Sequence, residues 1–302
     1  MKKNETFLSA RRKEALTGYL FASPWIIGFL VFTLFPILAS FYLSFTFYDS
    51  VSKPYWNNFG NFRVMLNEPL FFKSLGNTLY YVMLSVPINI ILGVLMGLLI
   101  NQKVRGIRLA RTIFYLPNVL SVVAVSFLWQ WLFNPTFGPI NLLLSLVGLE
   151  GPSWLADESW TKPAMILMSA WGVGGSVIIF LAAIKDVSVS LYEAADIDGA
   201  GAISKFRRIT LPSISPTIYF NFIMGIIGSF QVFLQSYIML GRDGGVNNSS
   251  LFYAQLIYNK FSENQMGLAS ALSWVLLVIV LIITILAMKL SNKLVFYLDG
   301  QT

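Results

Sequence analysis

The chain has 302 residues, 56% of them hydrophobic and only 12% charged, with neither cysteine nor histidine. A mean hydropathy of +0.68 excludes an ordinary soluble domain, and the two missing residue types exclude disulfide frameworks, thiol nucleophiles, Cys/His metal sites and His-based catalysis. A net charge of +7 would suit nucleic acid on a soluble fold, so the placement of the charges decides what they are for.

Six long windows contain no Lys, Arg, Asp or Glu: Ala15 to Tyr48, Ser74 to Gln102, Thr112 to Leu149, Pro163 to Ile184, Ile209 to Gly241 and Asn264 to Met288. Roughly 20 apolar residues cross a bilayer as helix, so each window holds one crossing. The predicted spans are Tyr19 to Phe45, Thr78 to Ile100, Thr112 to Phe133, Pro163 to Ile184, Ser213 to Leu240 and Met266 to Met288. The runs are continuously apolar, without the alternating ten-residue segments of a barrel, which predicts an all-α integral membrane protein. Pro24, Pro36, Pro87 and Pro117 fall in or near spans and predict kinks rather than breaks. The basic start followed by an apolar run is like a signal peptide, but the run exceeds an h-region and reads as an uncleaved first span.

With the N-terminus inside, cytoplasmic segments hold fifteen of the 21 basic residues, among them Lys2, Lys103 and Lys293, while acids divide evenly. This positive-inside bias predicts both termini in the cytoplasm and leaves no need for a nucleic-acid partner. The expected organisation is a basic N-terminal segment over 1–18, a six-helix domain over 19–288 with a loop at 185–212, and a cytoplasmic tail over 289–302. Outer-loop aromatics Tyr55, Trp56, Trp154, Trp160, Tyr253 and Tyr258 suit the headgroup level or, alternatively, a docking surface for an external partner.

The inner loop from Lys185 to Pro212 is long and polar. Leu191, Ala194, Ala195 and Asp198 recur at helical spacing, and Gly199 is placed to end a short helix in the left-handed conformation. A second run, about Ala202 to Thr210, is expected to stop before Leu211-Pro212. By periodicity alone the element is either a docking lever or an amphipathic helix on the membrane surface.

Glu193-Ala194-Ala195, Gly199, Ile209 and Leu211-Pro212 at their spacing resemble the EAA signature of binding-protein-dependent ABC importer permeases. The similarity runs through nearly the whole chain and points to the first-permease type of the sugar-importer branch, like the maltose and glycerol-phosphate systems. Supporting stretches include Gly18-Tyr19-Leu20-Phe21, Gly76-Asn77-Thr78-Leu79, Arg111 with Leu116-Pro117, Trp129 with Asn134-Pro135, and Gly267 with Ala269-Ser270-Ala271. Gly244-Gly245-Val246 departs from the family's Gly-Gly-Pro and predicts a looser outer loop.

The resemblance implies a type I ABC importer transmembrane domain in the bacterial inner membrane, working with a second, different permease subunit, two ATP-binding subunits and an extracytoplasmic solute-binding protein. It implies that Glu193, Ala194, Ala195, Asp198 and Gly199 couple to the ATPases. No phosphate-loop motif occurs in the sequence, so ATP and Mg are expected on the partner subunits, with no cofactor, metal or catalytic residue on this chain.

Polar residues sharing a face of an apolar helix mark the expected path for a neutral sugar: Asn118 and Ser121 with Trp129 in span three, Ser169, Gly172 and Ser176 in span four, and Asn221, Gly225, Ser229, Ser236 and the flanking Gln235 in span five. The same residue types also mediate helix packing, the role read for Gly93-x-x-x-Gly97. A secondary transporter is the rival reading. It predicts intramembrane acids or bases and broken short helices, and neither is apparent in the sequence.

Overall fold

The computed structural model describes residues 3–102 and 105–291; Lys2, Lys103, Lys293 and most of the expected tail lie outside the described residues. The architecture is all-α apart from one short hairpin. Three helical stretches, Arg12–Ser44, Pro69–Asn101 and Met266–Lys289, are long and apolar enough to cross a membrane unbroken, and three bent helix pairs complete six spans. Two compact units divide the described residues, 3–65 with 260–274 and, within 66–259 and 275–291, the remainder.

In the smaller unit α1 (Lys3–Phe29) passes through a π-helical turn, Leu30–Leu34, into α2 (Phe35–Ser44). Pro24 leaves α1 continuous, whereas Pro36 follows the π turn, in which the Phe35 N–H reaches back to Leu30. Widening the turn makes room for a proline ring that would otherwise press on the carbonyl four residues earlier. A hairpin of β1 (Thr46–Phe47) and β2 (Tyr55–Trp56) leads to α3 (Gly60–Asn67). Asn61 on α3 fixes the corner, its Nδ2 donating to the carbonyls of Ser44 at 2.9 Å and Thr46 at 2.8 Å. The start of α16 (Met266–Ser291) approaches the same strand through Gly267, where any Cβ would strike the Thr46 carbonyl.

The larger unit is organised on α4 (Pro69–Asn101), the second span, which Pro87 does not interrupt. The third span is α5 (Ile107–Val119) and α6 (Val122–Leu132), bent by 104°. A connection carrying α7 (Pro139–Leu146) leads to the fourth, α8 (Glu158–Trp171) and α9 (Gly174–Asp186), bent by 46°. After α10 (Val189–Ile197), α11 (Ala202–Lys205), a second π turn at Phe206–Thr210 and α12 (Leu211–Ser213), the chain bends by 63° into α13 (Ser215–Phe230). α14 (Leu234–Leu240), a short 3-10 turn and α15 (Tyr253–Ser262) complete the described elements before α16.

Four expectations change. Spans three and four are broken at Leu120–Ser121 and Gly172–Val173, and span five at Gln231–Phe233, so broken helices do occur. Ser121, in extended conformation, accepts the Ala124 N–H and starts α6 afresh, which a kink at Pro117 alone would not do. The run from Ala202 continues through Leu211–Ser213, because the π turn before Pro212 repeats the device found before Pro36. Trp154 (8% exposed) and Tyr253 (0%) are core residues rather than headgroup anchors, Trp154 donating from Nε1 to Asn141 at 2.7 Å.

The fourth change concerns the outer loop around Gly244-Gly245, which is strapped rather than loose. Asn77 Nδ2 donates to the carbonyls of Asn248 and Leu251, and Lys162 Nζ donates to Asn77 Oδ1 at 3.3 Å and to the Ser249 carbonyl at 3.1 Å. Thr161 bonds Ser249, Thr78 accepts the Tyr253 N–H, and Ser236 donates to the Ser250 carbonyl. Ser249 to Tyr253 are buried in consequence. Tyr253 lies outside the spans, and burial pushes its phenol well above the ordinary tyrosine range, keeping it neutral.

Candidate functional site

Two places in the larger unit gather the residues singled out in the sequence. The first is a cavity of about 310 Å³ beside the breaks in spans three and four. Its lining includes Asn118, Ser169, Gly172 and Gln235, together with Tyr81, Pro117, Met165, Met168 and Trp171. No lining residue carries a charge, so the wall offers amides, hydroxyls, an indole and apolar surface. Trp171 stands edge-on to Trp129 at 6.0 Å, and Asn89 Nδ2 lies 3.5 Å from Ser169 Oγ. Trp129 Nε1 and Asn89 Oδ1 are buried without a hydrogen-bond partner, leaving polar capacity next to the cavity.

The remaining path residues lie elsewhere. Ser121 caps α6. Asn221 donates to its own helix at the Thr217 carbonyl, 2.9 Å away. Gly225 faces Val86, which a Cβ would approach to 3.2 Å, and Ser229 Oγ is 3.5 Å from Ser85 Oγ. Gly225 and Ser229 belong to the contact between α13 and α4. Ser236, beyond the break, secures the outer strap. Trp129 packs in the core with Phe133 and Trp154.

Tyr81 and Trp171 were missed. Tyr81 sits in a window of apolar sequence with nothing to mark its face, and Trp171 precedes a glycine-rich break that was read as continuous helix. Asn118 is partly committed already. With its amide turned to match its neighbours, Nδ2 donates to the Gly172 carbonyl at 3.2 Å and Oδ1 accepts the Gly175 N–H at 3.0 Å.

The second place is the element between α9 and α13. α10 ends in a full Schellman turn: Gly199 has φ +70°, its N–H donates to Asp196, and the Ala200 N–H reaches Ala195 at 2.8 Å. Glu193, Ala194, Asp198 and Gly199 are exposed and Ala195 is half-buried. Tyr192 OH meets Thr210 Oγ1 at 2.8 Å, and Lys205 pairs with Asp196, joining the two arms of the element. Tyr192, Phe206 and Ile209 pack against a buried cluster of Val94, Phe180, Ile184, Val187 and Ile214. The element is thus rooted on the span α9 while Ile197 (88% exposed) and Ile203 (76%) stand out from it. Between the arms lies a hollow lined by Ala195, Asp198, Ala200, Ser204, Lys205 and Arg208.

Comparison with known proteins agrees with this arrangement. Residues 89–295 match the family model described as binding-protein-dependent transport system inner membrane component. The probable ABC transporter permease protein YesP of Bacillus subtilis is 39% identical over 290 residues, covering 95% of this chain and 94% of the relative. The lactose transport system permease protein LacF of Rhizobium radiobacter is 34% identical, with 92% and 95% covered, and the arabinooligosaccharides transport system permease protein AraP of Bacillus subtilis is 30% identical, with 91% and 88% covered. A chain of a crystallised bacterial ABC transporter involved in import of the acidic polysaccharide alginate superposes with a TM-score of 0.82 at 27% identity, covering 95% of this chain and 98% of that one. The same transporter type has been crystallised in complex with an alginate pentasaccharide-bound periplasmic protein. On the family match across most of its length, this chain belongs to the binding-protein-dependent transport system inner membrane components.

Proposed function

We propose that this chain forms one half of the translocation path of an ATP-driven carbohydrate importer, with a second, different permease subunit completing the path. Two ATP-binding subunits would hold the ATP and Mg and receive the element around Glu193 and Gly199. An extracytoplasmic solute-binding protein would deliver the saccharide. The observation that carries this reading is the exposed, Schellman-ended α10, braced against α9 by Tyr192 and tied to α11 by the Lys205–Asp196 pair. A rigid lever rooted on a span passes a push from below into the bilayer, biasing two states of the spans.

The cavity supports a saccharide as cargo. Hydroxyl-rich rings take hydrogen bonds from amides and hydroxyls, and their apolar faces pack on aromatic rings, the chemistry that Gln235, Ser169, Tyr81 and Trp171 supply. The relatives named for lactose and arabinooligosaccharides point the same way. An uncharged lining offers no group that exchanges a proton near neutral pH, which speaks against a proton-driven transporter.

The test is reconstitution of the complete transporter with a panel of neutral and acidic oligosaccharides, reading uptake driven by ATP on the cytoplasmic side. Uptake of at least one saccharide in an ATP-dependent manner is the expected result. Uptake of a non-carbohydrate solute alone would overturn the cargo.

A further inference from the structure

A break in a helix leaves backbone groups with no intrahelical partner, and inside a bilayer no bulk water takes their place. In the fourth span the break exposes the Gly172 carbonyl, at the C-cap of α8, and the Gly175 N–H, in the first turn of α9. Both are satisfied by Asn118 at the end of α5, two bonds from one amide at 3.2 and 3.0 Å. Asn118 in turn stands two residues before the break at Leu120. One turn earlier on α5, the Phe114 carbonyl lies so close to Gly174 that no Cβ would fit between them. The two breaks therefore meet at a single point, where a missing side chain brings the backbones together and one amide caps both helix ends at the break in the neighbouring span.

We propose that Asn118 is a positioning residue that locks the breaks of spans three and four into one hinge, so that α5 and α9 move as a single body while α6 turns about it. The pairing needs a donor and an acceptor on one short planar group. Asn118→Asp keeps the acceptor for Gly175 but sets a carboxylate oxygen against the Gly172 carbonyl, and Asn118→Ala removes both bonds. The proposal rests on the reading that the spans rock between states. Its readouts are taken with no saccharide present and hold whatever the cargo is.

The chain contains no cysteine, so paired spin labels can be introduced at chosen positions in the complete reconstituted transporter. Ile113 on α5, Ile179 on α9 and Phe127 on α6 are 58%, 41% and 58% exposed and suit labelling. Between the nucleotide-free and ATP-trapped states the 113–179 distance is expected to stay constant while the 113–127 distance changes. Asn118→Ala should broaden the 113–179 distribution and raise amide exchange at Gly175 by about tenfold, the loss of a single hydrogen bond in a water-poor site. Gly174→Ala, at a position that does not line the cavity, should broaden the same distribution. Asn118→Asp, which keeps the acceptor for Gly175, carries the test if Asn118→Ala does not assemble, and Gly174→Ala separates a hinge from a lost contact to cargo. A 113–179 distance that changes between states in the unsubstituted protein, an unmoving 113–127 distance, or unaltered Gly175 exchange in Asn118→Ala would each overturn the hinge.

Discussion

Gly199 occupies open space: an added Cβ would meet no atom within 4 Å, so only its φ of +70° resists substitution. A residue with a Cβ in that region costs about 1–2 kcal/mol, which falls on the Schellman turn rather than on any packing. Gly199→Val is therefore expected to fray the end of α10 and lower saccharide transported per ATP hydrolysed, with membrane insertion intact and Gly199→Asn milder. The ratio of uptake to hydrolysis in vesicles checks this, and a ratio equal to the parent's would contradict it. Lys162 poses a different case, since its ammonium bridges Asn77 Oδ1 and the Ser249 carbonyl and lies 5.5 Å from the Tyr80 ring. Lys162→Met keeps the apolar stem and strands two acceptors, a local loss of about 1–3 kcal/mol. Amide exchange from Ser250 to Tyr253 should quicken accordingly, with Lys162→Arg preserving part of the protection.

Among the elements, α4 and α9 pack closely through two glycines of α4. A Cβ on Gly93 would come within 2.9 Å of the Phe180 ring, and one on Gly97 within 3.2 Å of the Phe180 Cβ, so the fully buried Phe180 lies against both glycines. The small-residue spacing read as a packing motif is that contact. Gly93→Leu should overpack it, costing about 1–3 kcal/mol or forcing the helices apart. Thermal denaturation in detergent should register the loss, while Gly76→Leu, where no atom lies within 4 Å of a Cβ, leaves the midpoint close to the parent's. Crossings were legible because a bilayer demands long uncharged windows. Breaks were not, because apolar composition records exposure to lipid and says nothing of backbone continuity. Ser121 and Gly172 were read as path-lining polar residues, yet their first duty is to start and stop helices. Likewise a uniform 100° per residue carried across Gln231–Phe233 put Ser236 on the face of Asn221, whereas the break sends Ser236 to the outer strap and Gln235 to the cavity. The element between α9 and α13 is the most readable part, since a left-handed glycine after a short helix is a local signal that needs no tertiary information.

At the scale of the molecule, the cavity decides what can drive transport. Proton coupling needs a titratable group that meets the solute's path, so that binding of the proton changes the affinity of the site. None of the cavity's lining residues can titrate near neutral pH, and neither amides nor hydroxyls change charge there. Broken helices are shared with secondary transporters, but here the groups freed at Gly172 and Gly175 are taken by Asn118. On the proposed function the energy enters through a part of the chain that faces another protein, and α10 with Gly199 is exposed and rooted on α9. The purified chain, alone in sealed vesicles, is accordingly expected to accumulate no saccharide under an imposed proton or sodium gradient of either polarity. Adding the second permease, the ATPase pair, the binding protein and ATP should start accumulation, and Glu193→Ala with Gly199→Val in that complete set should sever it from hydrolysis. Accumulation by the lone chain on an ion gradient would overturn the proposed entry of energy through α10.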